Sequence, residues 1–197
     1  TLEHSKFDFS LMPVPRISKL EFRKKSRSDY YQATIQSADG TLRIYRRNAT
    51  SAKKTPPTLV GRIRIEPSNV PLLLLITPDN DRTNDRINAY AIDDSQHNFP
   101  QGSIRLVNIT GIDVFGKIGT AAMALKHGGI SQAYNDGSRQ PLDISVAAKG
   151  NNRYHLLYKN NIQVTSGSRS LLILTPPARA GSIRIGGHLL LESPNEI

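Results

Sequence analysis

Two short acidic segments are where this chain offers reactive chemistry. Asp93-Asp94-Ser95-Gln96-His97 sets two carboxylates beside an imidazole, groups a hydrolase uses for proton transfer; the plainer reading is a polar loop entering Phe99-Pro100. Asp79-Asn80-Asp81-Arg82-Thr83-Asn84-Asp85 alternates carboxylate and amide oxygens, a donor set that suits calcium. It lacks the central glycine and terminal glutamate of an EF-hand loop, and Arg82 and Arg86 oppose a cation, so a turn held by Asx hydrogen bonds is expected. The histidines (His4, His97, His127, His155 and His188) have no zinc-site spacing, and the chain has no cysteine for a disulfide, a thiol nucleophile or a thiolate metal site. A Gly-x-Ser-x-Gly elbow, a phosphate loop and a dinucleotide fingerprint are all missing. The expectation is a protein that is not an enzyme and holds neither metal nor cofactor.

Charge is the stronger signal. Lysine and arginine number 26 against 16 acids, a net charge of +10, and residues 16–64 alone hold 13 basic residues against Glu21, Asp29 and Asp39. The remainder is neutral, so the whole imbalance sits in one contiguous stretch and points to an anionic partner or surface. In Thr41-Leu42-Arg43-Ile44-Tyr45-Arg46-Arg47 a period of two puts Leu42 and Ile44 on one face with Arg46, and Arg43, Tyr45 and Arg47 on the other. Arg62 and Arg64 alternate with Ile63 and Ile65 on a further run. The candidate anion-binding residues are therefore Arg43, Tyr45, Arg46, Arg47, Arg62 and Arg64. Their partner would be an acidic polysaccharide, lipid headgroups or an acidic protein. The alternative partner is nucleic acid, with Tyr45 as a stacking ring; a hydrolase built on Asp93, Asp94 and His97 is a third reading. A solvated face that discourages edge-to-edge aggregation would need no ligand.

The elements that position these residues read as strands. Leu72-Leu73-Leu74-Leu75-Ile76-Thr77-Pro78 is too short for a membrane span of about 20 residues and suggests a strand buried on two faces. Ser170-Leu171-Leu172-Ile173-Leu174-Thr175-Pro176 echoes it, and Gly102-Ser103-Ile104-Arg105-Leu106 is echoed by Gly181-Ser182-Ile183-Arg184-Ile185. An internal pseudo-repeat follows if the echoes are structural. Asp39-Gly40 marks a hairpin between residues 30–36 and 41–47, and Lys149-Gly150-Asn151-Asn152 marks another. Residues 111–119 read as a hairpin or bulged turn, and residues 121–126 are too short for a helix before Gly128-Gly129. About a dozen short strands with regular turn punctuation predict an all-β fold, an antiparallel two-sheet β-sandwich of immunoglobulin-like or jelly-roll type. Residues 1–28 read as an extended basic arm whose Phe7, Phe9 and Leu11 dock on a sheet edge, and residues 29–197 as a single domain.

The apolar strand of residues 72–78, Ile92-Asp93-Asp94-Ser95, the run Phe99-Pro100-Gln101-Gly102-Ser103-Ile104 continuing to Asn108-Ile109, and Lys117-Ile118-Gly119 stand in a fixed order. In that order they resemble a set of uncharacterised exported bacterial β proteins of about this size. The resemblance spans the middle half of the chain and implies an exported protein, of the periplasm or cell surface. It carries over no functional residue and does not account for the basic N-terminal third. The chain begins at Thr1 without a basic-then-apolar leader, which leaves open whether a signal or anchor precedes it.

Overall fold

The structure, a computed structural model, describes residues 7–12, 18–20, 40–48, 56–65, 70–78, 86–135, 137 and 140–192. All regular elements among them are strands. They divide into two compact units, Thr1–Ile92 and Asp93–Ile197. The 30–36 strand, its Asp39 turn position and the Asp79 to Asp85 loop lie outside the described residues.

In unit 1, strands β1 (Phe7–Met12), β2 (Ser18–Leu20), β3 (Thr41–Asn48) and β4 (Thr58–Arg64) form an antiparallel sheet in the order β2-β1-β3-β4. The start of the basic arm is thus an interior strand: β1 pairs Leu11 with Ile44 on one side and with Ser18 on the other. Alternation on β3 buries Leu42 and Ile44, which meet Val60 and Ile65. Strands β5 (Leu72–Pro78) and β6 (Ile87–Asp93) make a two-stranded ribbon, and Leu72, Leu74 and Ile76 pack on that core. The contact is close at Gly61, where a Cβ would stand 2.7 Å from the Ile87 side chain. The apolar run of β5 is half-buried along its length, a correction to the expectation of burial on two faces. Among the described residues β5 has one partner strand, and both rows of its apolar side chains stay partly open.

Unit 2 contains β7 (Ile104–Asn108), β8 (Val114–Ile118), β9 (Ala121–Leu125), β10 (Leu142–Gly150), β11 (Arg153–Ile162), β12 (Arg169–Thr175) and β13 (Gly186–Glu192). They form a four-stranded sheet, β11-β10-β8-β9, and a three-stranded sheet, β13-β12-β7. Ile104, Leu106, Leu172 and Leu174 of the smaller sheet share one core with Val114, Ile118, Ile144 and Val146 of the larger, an arrangement consistent with a β-sandwich. Burying each such side chain contributes about 1.5–3 kcal/mol. One pairing departs from the antiparallel expectation: β7 and β12 run parallel, which the long connection through β8 to β11 permits. The expected 149–152 turn is present, with Asn151 and Asn152 at φ 49° and 58°, the left-handed region that a tight hairpin demands and asparagine tolerates. The segment read as one turned hairpin at residues 111–119 instead supplies β8, which turns at Gly119 into β9. The second echo fails as structure: Ile104 lies fully buried in β7, whereas residues 181–185 form no strand and Ile183 is exposed.

Candidate functional site

The cationic face follows from the pairing of β3 with β4. Because Leu42 and Ile44 turn inward, Arg43 and Tyr45 turn outward. Arg43 stands directly opposite Arg62, and Thr41 opposite Arg64, so Arg43, Arg62 and Arg64 project from one surface. Arg62 and Arg64 are exposed and Arg43 is half-buried. Two like charges in a facing pair lower the stability of a sheet. The register shifts between Ile44 and Tyr45, where the additional residue of β4, Val60, enters the core and Tyr45 comes opposite Leu59. Alternation along β3 keeps Tyr45 on the Arg43 face, and the bulge decides only that Leu59 stands opposite it. Arg46 is half-buried and alternates to the core side. Arg47 pairs with Asp8 of β1 in the ladder, and its side chain lies outside the described residues. Of the six sequence-derived candidates, the structure therefore groups Arg43, Tyr45, Arg62 and Arg64.

The acidic loop is built differently. Asp93 accepts hydrogen bonds from the Ser95 N–H at 2.9 Å and the Asn98 amide at 2.5 Å, closing an Asx turn. Asp94 is buried with Oδ1 3.4 Å from Nη1 of Arg169. Arg169 is also buried and donates to both carboxylate oxygens of Glu192 at 2.6 Å, and from Nη1 to the carbonyls of Asp94 at 2.8 Å and Phe99 at 3.3 Å. Its guanidinium lies 5.1 Å from the Phe99 ring centroid, and that of Arg105 lies 5.6 Å from the same ring. Arg105 donates to the carbonyls of Asp93 and Ser131. His97 is exposed. The Asp94 carboxylate faces a buried guanidinium, so these atoms secure the entry to β7.

Hydrogen bonds from the Ser95 hydroxyl and then its N–H hold the Asp93 carboxyl below its ordinary value of 3.8, with Asn98 and the Arg105 charge adding to the effect against partial desolvation. A depressed carboxyl contributes stability that is complete above 3.8 and is lost as pH falls through the lower folded value. Carbon-detected NMR should therefore show Asp93 titrating below an ordinary aspartate, and Asp93→Asn should remove that part of the acid sensitivity. Titration at or above 3.8 would contradict the assignment.

Sequence reasoning missed Arg169 and Glu192. The available signal was a charge closing each of two apolar strands, Arg169 before Leu171-Leu172-Ile173-Leu174 and Glu192 after Leu189-Leu190-Leu191. Among the described residues no three histidine or acidic side chains converge as a metal site, and no helix is long and apolar enough to cross a membrane. Compared with protein-family models and with curated proteins, the chain finds no match.

Proposed function

We propose that this protein is a non-catalytic binding or scaffolding module of the cell envelope, a two-sheet sandwich of immunoglobulin-like or jelly-roll kind, that meets an anionic partner through the β3–β4 face. The facing pair of Arg43 and Arg62, with Arg64 beside them, is the observation that carries the reading. The partner chemistry is acidic polysaccharide, anionic lipid headgroup or acidic protein, and the resemblance to exported bacterial proteins supports a site outside the cytoplasm. A nucleic-acid partner is the second reading, favoured by Tyr45 on the arginine face.

The test is binding to heparin-like polysaccharide, phosphatidylserine vesicles, DNA and RNA at two salt concentrations, with Arg43, Arg62 and Arg64 changed together to Ser. Each basic residue near an anionic surface contributes about 1 kcal/mol, so the triple variant should lose about 100-fold in affinity for the true partner class. Wild-type affinity in every case unmoved by the triple change would overturn the proposal.

A further inference from the structure

A second surface lies wholly within unit 2. On β10 Leu142, Ile144 and Val146 turn into the core, so Ser145, Ala147 and Lys149 turn outward. The ladders extend these outward positions sideways: Lys117 of β8 and Lys159 of β11 both stand opposite Ser145, and Phe115 and Leu156 both stand opposite Ala147. On β9 Ala124 faces Phe115 and Ala122 faces Lys117. The result is an apolar floor with lysines set into it. Tyr154 is 65% exposed and Leu156 56% exposed on this floor, and the Tyr154 ring meets Phe115 edge to face at 5.8 Å and 81°.

A bulge produces this face. Val146 pairs with Tyr158 and Ala147 with Leu156, which leaves Leu157 as an additional residue, 6% exposed in the core. Tyr158 also packs toward the core, so a regular strand would carry Leu156 and Tyr154 inward with it. The additional residue turns both outward, as bulges do where they re-aim side chains. At the margin of β11 the floor continues into a groove of about 370 Å³ lined by Leu156, Tyr158, Lys159, Arg184 and Ile185. Acids only border the surface: Asp143 at one end accepts from the Asn161 amide at 2.9 Å, and Asp113 at the other accepts from the His127 N–H at 3.2 Å. The middle of the face is cationic and apolar together.

We infer that this face binds an acidic polysaccharide, its sugar rings lying flat on Ala147, Leu156 and Tyr154 and its carboxylates or sulfates meeting Lys117, Lys159 and Arg184. The apolar C–H faces of sugar rings match an exposed aromatic and aliphatic floor, and the cations answer the charge of the polymer. Two other anions fit less well. Phe115 and Tyr154 are locked against each other, which leaves no slot for a base stacked between them. A bilayer takes up apolar groups that protrude from loop tips, whereas Phe115, Tyr154 and Leu156 lie within strands. This surface shares no residue with the β3–β4 face, so the two readings stand or fall separately.

The experiment uses the full chain carrying Arg43→Ser, Arg62→Ser and Arg64→Ser, which silences the β3–β4 face. Affinities are measured for polygalacturonate, neutral dextran, oligothymidylate and phosphatidylserine vesicles. Two pairs of changes are then added separately, Lys117→Gln with Lys159→Gln, and Tyr154→Ser with Leu156→Ser. Polygalacturonate should bind in the silenced background and weaken by about tenfold or more with either pair. Thermal melts should stay unchanged for the lysine pair, whose side chains are exposed, and fall by no more than about a few degrees for the Tyr154 and Leu156 pair, which gives up the ring contact with Phe115. Absent polygalacturonate binding, binding indifferent to both pairs, equal binding of dextran, or tighter binding of oligothymidylate or vesicles through the same residues would each overturn the inference.

Discussion

Arg169→Met should destabilise unit 2 by about 3–5 kcal/mol, measured as a lowered midpoint of denaturant unfolding with an unchanged slope. The cause lies in what the substitution leaves behind. Asp94 and Glu192 are 3% and 5% exposed, and both carboxylates face the Arg169 guanidinium. Removing the cation leaves two buried anions with like charge, and also deprives the Asp94 and Phe99 carbonyls of a donor. Replacing all three charged groups, with Asp94→Leu, Arg169→Met and Glu192→Leu, should recover most of the loss, because desolvation opposes a buried ion pair. A single change costing less than about 1 kcal/mol would show the cluster to be solvated and the account of the loop to be wrong.

Asn108→Ala is the second large effect, at about 3 kcal/mol or more. Asn108 is fully buried, and its Nδ2 donates to the carbonyls of Ile112, Leu125 and Lys126 at 2.8, 3.0 and 3.0 Å. Its Oδ1 accepts from the N–H and hydroxyl of Thr110. One amide thus fastens the end of β7 to the end of β9 and to the turn between β7 and β8. Alanine removes every one of these partners and supplies none, so amide hydrogen exchange at residues near 110–127 should accelerate beyond the global loss of stability. Exchange that accelerates uniformly across unit 2 would contradict a local fastening role.

The contrast between these two residues shows how far the sequence can be read. Local features were legible: Asn151 and Asn152 announced a tight turn, and the Leu42 and Ile44 alternation announced which face of β3 is buried. The apolar runs in β5 and β12 look alike, yet β12 is buried between two partner strands while among the described residues β5 pairs with β6 alone. Composition records that a run is apolar, but the number of neighbours is a property of the assembled sheet. Arg169 and Glu192 meet across an antiparallel ladder from 23 residues apart, and Asp94 joins them from farther still. The bulge at Leu157 was equally hidden, because its place follows from the register of β11 with β10. On the candidate site, the sequence assembled the arginines by type. Alternation along β3 already turns Arg46 to the Leu42 and Ile44 side, whereas pairing of β3 with β4 decides that Arg43 faces Arg62.

The most direct test of the anionic-partner reading is chemical-shift mapping of the full chain titrated with a heparin-like polysaccharide at low salt. Shifts at Arg43, Arg62, Arg64 and Tyr45 that saturate together, and collapse when salt is raised, are the predicted result. A titration that leaves β3 and β4 unperturbed would contradict it.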